Sequence, residues 1–295
     1  NPDPPESYTE QQAAINMQKR TPARNIHIYD ANDTGIVLGG LVLTNGVTTA
    51  NFYSMVEIVC LFDQDYTLRD ESGITVGRDD HPLQPGKYFI VTAGSITVSD
   101  GTWLVRAAPV STSPYPEEFR HAIREGDRGC VTTGKGACGA AAAYVFPLAY
   151  EHHWVKHNYG DWITLQPESR RSINSVQNGL LHWKDLRIHF NSYMVSINPD
   201  DNYKIVCFIY DDNGIAGTHL DKTFVEDPKR PVDQVLRWHF RQAVLADMRG
   251  QGAPVFECDF PSNSDILDDI MSSSKVGERM EFELFTRLAG YRICN

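Results

Sequence analysis

From Asn25 to about Ala108 the chain is a succession of short β-branched or aromatic runs cut by turn signals, a pattern that leaves room for little but a small β-structure. Ile26-His-Ile-Tyr29, Ile36-Val-Leu38, Met55 to Phe62, Lys87 to Thr92 and Thr102 to Arg106 read as strands. Asn32-Asp33, Asn45-Gly46, Ser72-Gly73, Pro85-Gly86 and Asp100-Gly101 fall between them as turns. The spacing predicts a sheet or barrel domain over residues 25–110. Residues 1–24 form a polar arm with a helical pattern around Thr9 to Lys19, and Ser111-Thr-Ser-Pro-Tyr-Pro116 has the composition of a linker.

The text changes character after the linker. A helix is predicted from Glu117 to Glu125, stopped at Gly126, followed by Arg128-Gly-Cys-Val-Thr-Thr-Gly134 and a run of alanines, Ala140 to Ala143. Tyr193 to Ile197 and Tyr203 to Tyr210 read as a hairpin turning through Asn198-Pro-Asp-Asp201. Val235, Leu236, Phe240, Ala243, Val244 and Met248 recur at helical spacing behind Pro231, with Gly250 as the stop. A last helix is expected from Val276 to Ala289. The fold class is therefore α+β: an N-terminal small β-sheet or barrel domain, then a second domain over residues 117–295 that ends in C-terminal helices.

Charge narrows the partners. Twenty-seven Lys and Arg against 38 Asp and Glu leave −11, the wrong sign for a duplex-DNA binder, so nucleic acid is not an expected partner. The apolar runs at Ser54 to Phe62 and Gly139 to Tyr150 are shorter than the roughly 20 residues that span a bilayer, so no membrane span is expected. The polar opening, Asn1-Pro-Asp-Pro-Pro-Glu6, has no hydrophobic signal core. The six cysteines lack zinc-site spacing and sit partly in apolar strand text, Glu57-Ile-Val-Cys60 and Lys204-Ile-Val-Cys207. The cysteines in strand text read as buried free thiols, and a cytoplasmic, reducing location fits them.

Cys130-Val-Thr-Thr-Gly134, Ala143-Tyr-Val-Phe-Pro-Leu148, Asn178-Gly-Leu-Leu181 and Asp185-Leu-Arg-Ile-His-Phe-Asn191 together resemble the signature stretches of the fungal HNH nuclease-like family. The likeness covers roughly residues 117 to 290 and, more weakly, the β-rich part. It implies a ββα-metal fold, in which one histidine activates water, an asparagine positions that base and a second histidine ligates a divalent ion. In this chain the family's first histidine falls on Tyr144, its second on Arg187 and its following aspartate on Asn191; only Asn178 is kept. Arginine stays protonated and has no free lone pair for a metal, and a phenol with pKa near 10 is a poor base at neutral pH. His189 lies two residues past Arg187, on the opposite helix face, and does not replace it. His153 and His157 have the i, i+4 spacing of metal ligands on a helix, but surface or core histidines are the stronger reading. Trp238-His239 reads as an apolar helix face with a satisfied histidine.

A frame that keeps its shape while losing its metal residues points to a metal-independent, cofactor-free small-molecule enzyme: a cyclase, of the pericyclic [4+2] Diels–Alder kind, or an isomerase. Arg187, Tyr144, His182 and Asn178 are the candidate catalytic donors to a substrate carbonyl. Trp183, Asp185, Phe146, Asn191 and His189 are the candidate substrate-binding residues, and the small side chains of Gly139 to Ala143 offer space. The likeness to a fungal family implies secondary metabolism and a terpenoid or polyketide substrate. A residual metal-dependent HNH endonuclease and a non-catalytic pseudo-nuclease interaction module are the alternatives. The oligomeric state is not legible from the sequence.

Overall fold

The computed structural model describes residues 24–101, 104, 117–127 and 129–250. The helices expected at Thr9–Lys19 and Val276–Ala289 and the linker at 111–116 lie outside these residues, as does the strand expected at Thr102–Arg106 apart from Leu104. The architecture is α+β, as expected: an N-terminal small sheet, then a ββα region followed by further helices.

In the first part, strands β1 (Ile26–Asp30), β2 (Val37–Leu41), β4 (Tyr66–Arg69), β5 (Thr75–Val76) and β6 (Gly86–Thr92) form one sheet in the order β2-β1-β6-β4-β5. The β1–β6 pair is parallel and its neighbours are antiparallel. Two short strands, β3 (Cys60–Phe62) and β7 (Ile96–Val98), pair separately. The main correction concerns Met55 to Phe62, expected as a strand: only Cys60–Phe62 is extended, and Thr49–Val59 is a helix, α1. Its apolar residues Phe52, Met55, Val56 and Val59 fall at i, i+3, i+4 and i+7 and are all fully buried. A capping box starts the helix, with Thr48 Oγ1 accepting from Asn51 N and Asn51 Oδ1 accepting from Thr48 N, 3.2 Å each. The period of the buried positions and this cap outweigh the strand preference of the β-branched tail.

In the second part, α2 (Glu117–Gly126) precedes a hairpin of β8 (Ala140–Tyr144) and β9 (Gly179–Trp183), which runs directly into α4 (Lys184–Asn191). Between the strands lie 3-10 turns and a short helix, α3 (Glu151–Lys156). This is a ββα arrangement. The hairpin expected around Asn198 to Asp201 is present as β10 (Val195–Asn198) and β11 (Lys204–Cys207). A short helix, α5 (Lys222–Val225), and the long α6 (Asp233–Met248) follow. No helix of the described residues is long and apolar enough to cross a membrane.

The β8–β9 register decides which side chains can meet. Ala141 pairs with His182 and Ala143 with Leu180, whereas Ala140 pairs with Trp183, Ala142 with Leu181 and Tyr144 with Gly179. Paired residues of an antiparallel ladder point to the same face. His182 and Leu180 therefore face α4, whose Leu186 and Phe190 share their core. Tyr144 and Leu181 face the other way and pack against Phe119 and Ile123 of α2.

Candidate functional site

Tyr144 is held on both ends. Its ring stacks on Phe119, with centroids 3.9 Å apart and planes 5° from parallel, and its hydroxyl donates to Asn174 Oδ1 at 3.0 Å. Gly179, opposite Tyr144 in the ladder, makes room for this stack: a Cβ there would come within 2.5 Å of both Phe119 Cζ and Ile123 Cδ1. Asn174 in turn lines a cleft of about 920 Å3 between α2 and residues 165–176. The rim of that cleft mixes Glu117 and Glu168 with Arg120, Arg124 and Lys229.

Asn178 is fully buried and spends its carboxamide on backbone. Oδ1 accepts from Phe146 N at 2.7 Å, while Nδ2 donates to Phe146 O at 3.1 Å and Ile173 O at 2.9 Å. The residue ties the exit of β8 to the turn before β9. Phe146 sits in an aromatic cluster with Trp154, Tyr159 and Trp238. His153 and His157 are on or at the end of α3, with rings 4.1 Å apart and His157 against Tyr159. Asp185 is exposed in the first turn of α4, and Asn191 is half-buried at its last residue. His189, one turn on from Asp185, has its pKa lowered by burial, against the pull of the Asp185 and Asp212 charges. His239 is the satisfied core histidine expected: Nδ1 lies 2.8 Å from Ser196 Oγ and Nε2 3.1 Å from Phe190 O.

The end of β9 is different. His182 Nε2, Trp183 Nε1 and Arg187 Nε are buried nitrogens without a hydrogen-bond partner. The indole of Trp183 lies under Lys135 Nζ, 5.4 Å from the ring centroid, and over Gly139. His182 Nδ1 is 3.4 Å from Thr132 Oγ1, which is itself 3.2 Å from Cys130 Sγ. Main-chain bonds hold this turn on the edge of β9: Val131 N donates to Leu181 O at 3.0 Å and Leu181 N to Asp127 Oδ2 at 2.8 Å. Burial pushes the Asp127 carboxyl up to about 7, with the Leu181 amide pulling down and the Asp227 and Cys130 charges adding to the rise. Sequence reasoning named His182, Trp183 and Arg187. It missed Cys130 and Thr132 as site residues, although their turn was among the stretches that carried the family likeness, and Asp127 and Asn174, which carried no signal.

Comparison with protein families gives two matches. Residues 130–198 match the HNH endonuclease family. Residues 23–97 match a domain of unknown function. No curated protein and no solved structure matches the chain. The HNH match begins at Cys130 and ends at Asn198, so it encloses the β8–β9–α4 unit.

A divalent ion is what the HNH likeness implies, and the donor set does not fit one. The positions that the sequence likeness gives to the family's histidines and aspartate hold Tyr144, whose hydroxyl donates to Asn174, Arg187, which has no lone pair to give, and Asn191. Among the described residues no group of three His, Cys, Asp or Glu side chains is placed to hold an ion.

Proposed function

We propose that this chain is a metal-independent enzyme acting on a small molecule, a cyclase or isomerase built on an HNH-like ββα unit. The observation that carries the reading is the set of three buried nitrogens at the β9–α4 junction: His182 Nε2, Trp183 Nε1 and Arg187 Nε. A buried polar group left unpaired costs about 1–3 kcal/mol, and folded proteins keep few of them. Oxygens of a bound substrate would supply the missing acceptors. His182 and Trp183 point to opposite faces of β9, so the donors engage more than one substrate atom, or flank it. Donors fixed before the reaction stabilise charge that develops on a carbonyl as a conjugated system rearranges, and none of this needs a cofactor. Terpenoid or polyketide carbonyl compounds of fungal secondary metabolism are the substrate class this chemistry suits.

The family match favours a second reading, a metal-dependent endonuclease. One experiment separates the two. Purified protein is incubated with single- and double-stranded DNA and with RNA in Mg²⁺, Mn²⁺ or Zn²⁺, and separately with the products of enzymes encoded beside it in its genome. Conversion of a small molecule that is insensitive to EDTA and lost in Arg187→Ala is the expected result. Chelator-sensitive cleavage of nucleic acid would overturn the proposal.

A further inference from the structure

We propose that Cys130 is a nucleophilic cysteine, with Thr132 and His182 as its proton partners, and that it adds to the electrophilic carbon of an α,β-unsaturated carbonyl compound. The substrate class rests on the reading above; the activation of the thiol does not. Three polar side chains meet in an otherwise apolar core: Cys130 Sγ to Thr132 Oγ1 at 3.2 Å, and Thr132 Oγ1 to His182 Nδ1 at 3.4 Å. His182 is 1% exposed, its ring lies against Phe190, and its Nε2 has no partner in the protein. The imidazole is thus shut from bulk water with one nitrogen turned to the thiol's hydrogen-bond chain and the other unspent. Among the described residues the other buried thiols lack such partners: burial pushes Cys60 and Cys207 up to about 12. Burial also raises Cys130, but the hydrogen bonds from His182, Thr132, Thr133 and the Trp183 amide outweigh it and bring the thiol down to about 5. The Asp127 carboxyl, which accepts from Leu181 N, is near enough for its charge and that of Cys130 to act on each other. The turn that follows, residues 134–139, is exposed throughout and is tied to Cys130 by main-chain bonds, Cys130 N to Lys135 O and Gly134 N to Cys130 O.

The step balances without an oxidant. The Cys130 proton passes to His182, directly or through the Thr132 hydroxyl. The thiolate forms a C–S bond at the β-carbon, and the C=C π pair moves onto the carbonyl oxygen as an enolate. Either His182 returns the proton to the α-carbon, leaving an adduct, or the sulfur is expelled after bond rotation, restoring the thiolate and an isomerised double bond.

Iodoacetamide alkylation of the full chain between pH 5 and 9, followed by peptide mass spectrometry, tests the thiol. Free cysteine added to the same mixture serves as the ordinary reference. A thiol at about 5 is roughly 90% ionised at pH 6, against about 0.3% for one near 8.5. The alkylation rate of Cys130 is therefore expected to level off above pH 6, while that of free cysteine in the same mixture climbs about tenfold per pH unit up to pH 8. Thr132→Val and His182→Asn are expected to move the Cys130 profile upward by at least about one pH unit. An unreactive Cys130 in the folded chain, a profile parallel to that of free cysteine, or a profile unmoved in both variants overturns the assignment. This arm needs no substrate, so its failure leaves the donor reading of the β9–α4 junction standing. Cinnamaldehyde then tests the electrophile class: a Cys130 adduct, absent in Cys130→Ser, is expected, and its absence despite normal alkylation overturns that class.

Discussion

Asn178→Ala removes one side chain and strands three backbone groups. The carboxamide accepts from Phe146 N and donates to Phe146 O and Ile173 O, and all of it is buried. Each buried group left without its partner costs about 1–3 kcal/mol. Some of the three will find new partners as the turn relaxes, so a loss of about 3–6 kcal/mol is expected. Domains of this kind are stable by about 5–15 kcal/mol in all, so the variant should sit close to unfolding at physiological temperature. Asn178→Asp is the informative control. It keeps an acceptor for Phe146 N but turns a carboxylate oxygen toward two carbonyl oxygens. Its deficit should be large at neutral pH and shrink in acid, where protonation restores one donor. Guanidinium denaturation followed by tryptophan fluorescence measures both, provided the m-value stays constant. An Asn178→Ala loss below about 1 kcal/mol would refute the reasoning. So would a fully stable variant with turnover abolished, because the amide would then face substrate and not backbone.

Two further outcomes follow from the same faces of the hairpin. Tyr144→Phe keeps the stack on Phe119 and removes the bond to Asn174, so thermal melts should show a cost of about 1–2 kcal/mol with no change in fold. Asp127→Asn should stabilise the protein at pH 8 and change little at pH 4. The folded-state pKa of Asp127, about 7, lies above its unfolded value near 4, so the wild type binds more protons folded than unfolded across that window and loses stability as pH rises through it. Melting temperatures from pH 4 to 8 check this; a wild-type and variant pair with parallel pH dependence refutes it.

Much of the fold could be read before any coordinates. Strands β1 and β6, the β10–β11 hairpin and α6 all carry strong periodic patterns between good turn signals. Helix α1 differs from the expected strand because Val56, Ile58 and Val59 favour strands one at a time, while the i, i+3, i+4, i+7 spacing of Phe52, Met55, Val56 and Val59 sets the outcome only once a sheet is there to receive that face. The candidate site divides the same way. Tyr144, Asn178 and Arg187 came from motif position, and His182 from its nearness to them in sequence. Their separation onto two faces came from the β8–β9 register, which a single sequence does not state: one residue of slip would exchange the faces of Tyr144 and Gly179's neighbours. Cys130 and Thr132 reach His182 only because the 130–131 backbone hangs on Leu181, a contact across fifty positions of sequence.

The sequence pattern suggested two domains with a break at 111–116, and the packing argues that the described residues unfold together. Helix α6 serves both cores. Val235, Leu236 and Trp238 in its first turns join the core under the ββα unit, whereas Phe240, Ala243, Val244, Ala246 and Met248 join the core of the N-terminal sheet with Ile28, Met55 and Val59. Other ties cross the same boundary. Lys204 Nζ contacts both Asp201 and Asn51 Oδ1, and Asn51 Nδ2 donates to Asp201 at 2.7 Å. Thr44 Oγ1 donates to Cys207 O at 2.8 Å, and the turns at Gly46 and Gly217 approach so closely that a Cβ on Gly46 would fall 2.2 Å from the Gly217 Cα. Both glycines have φ near +79° and +78°, a conformation other residues adopt poorly, so neither turn can be remade with a side chain. A piece ending near residue 110 would lose the α6 face that closes its core, and each exposed Phe or Met would forfeit about 1.5–3 kcal/mol of burial. Hydrogen exchange read by mass spectrometry should accordingly give the slowest peptides of α1, β6, β9 and α6 one common opening free energy, and the fragment 24–110 should fail to fold alone. Protection of β1 and β6 that persists after β9 and α6 have exchanged would show two independent units and refute the shared-helix argument.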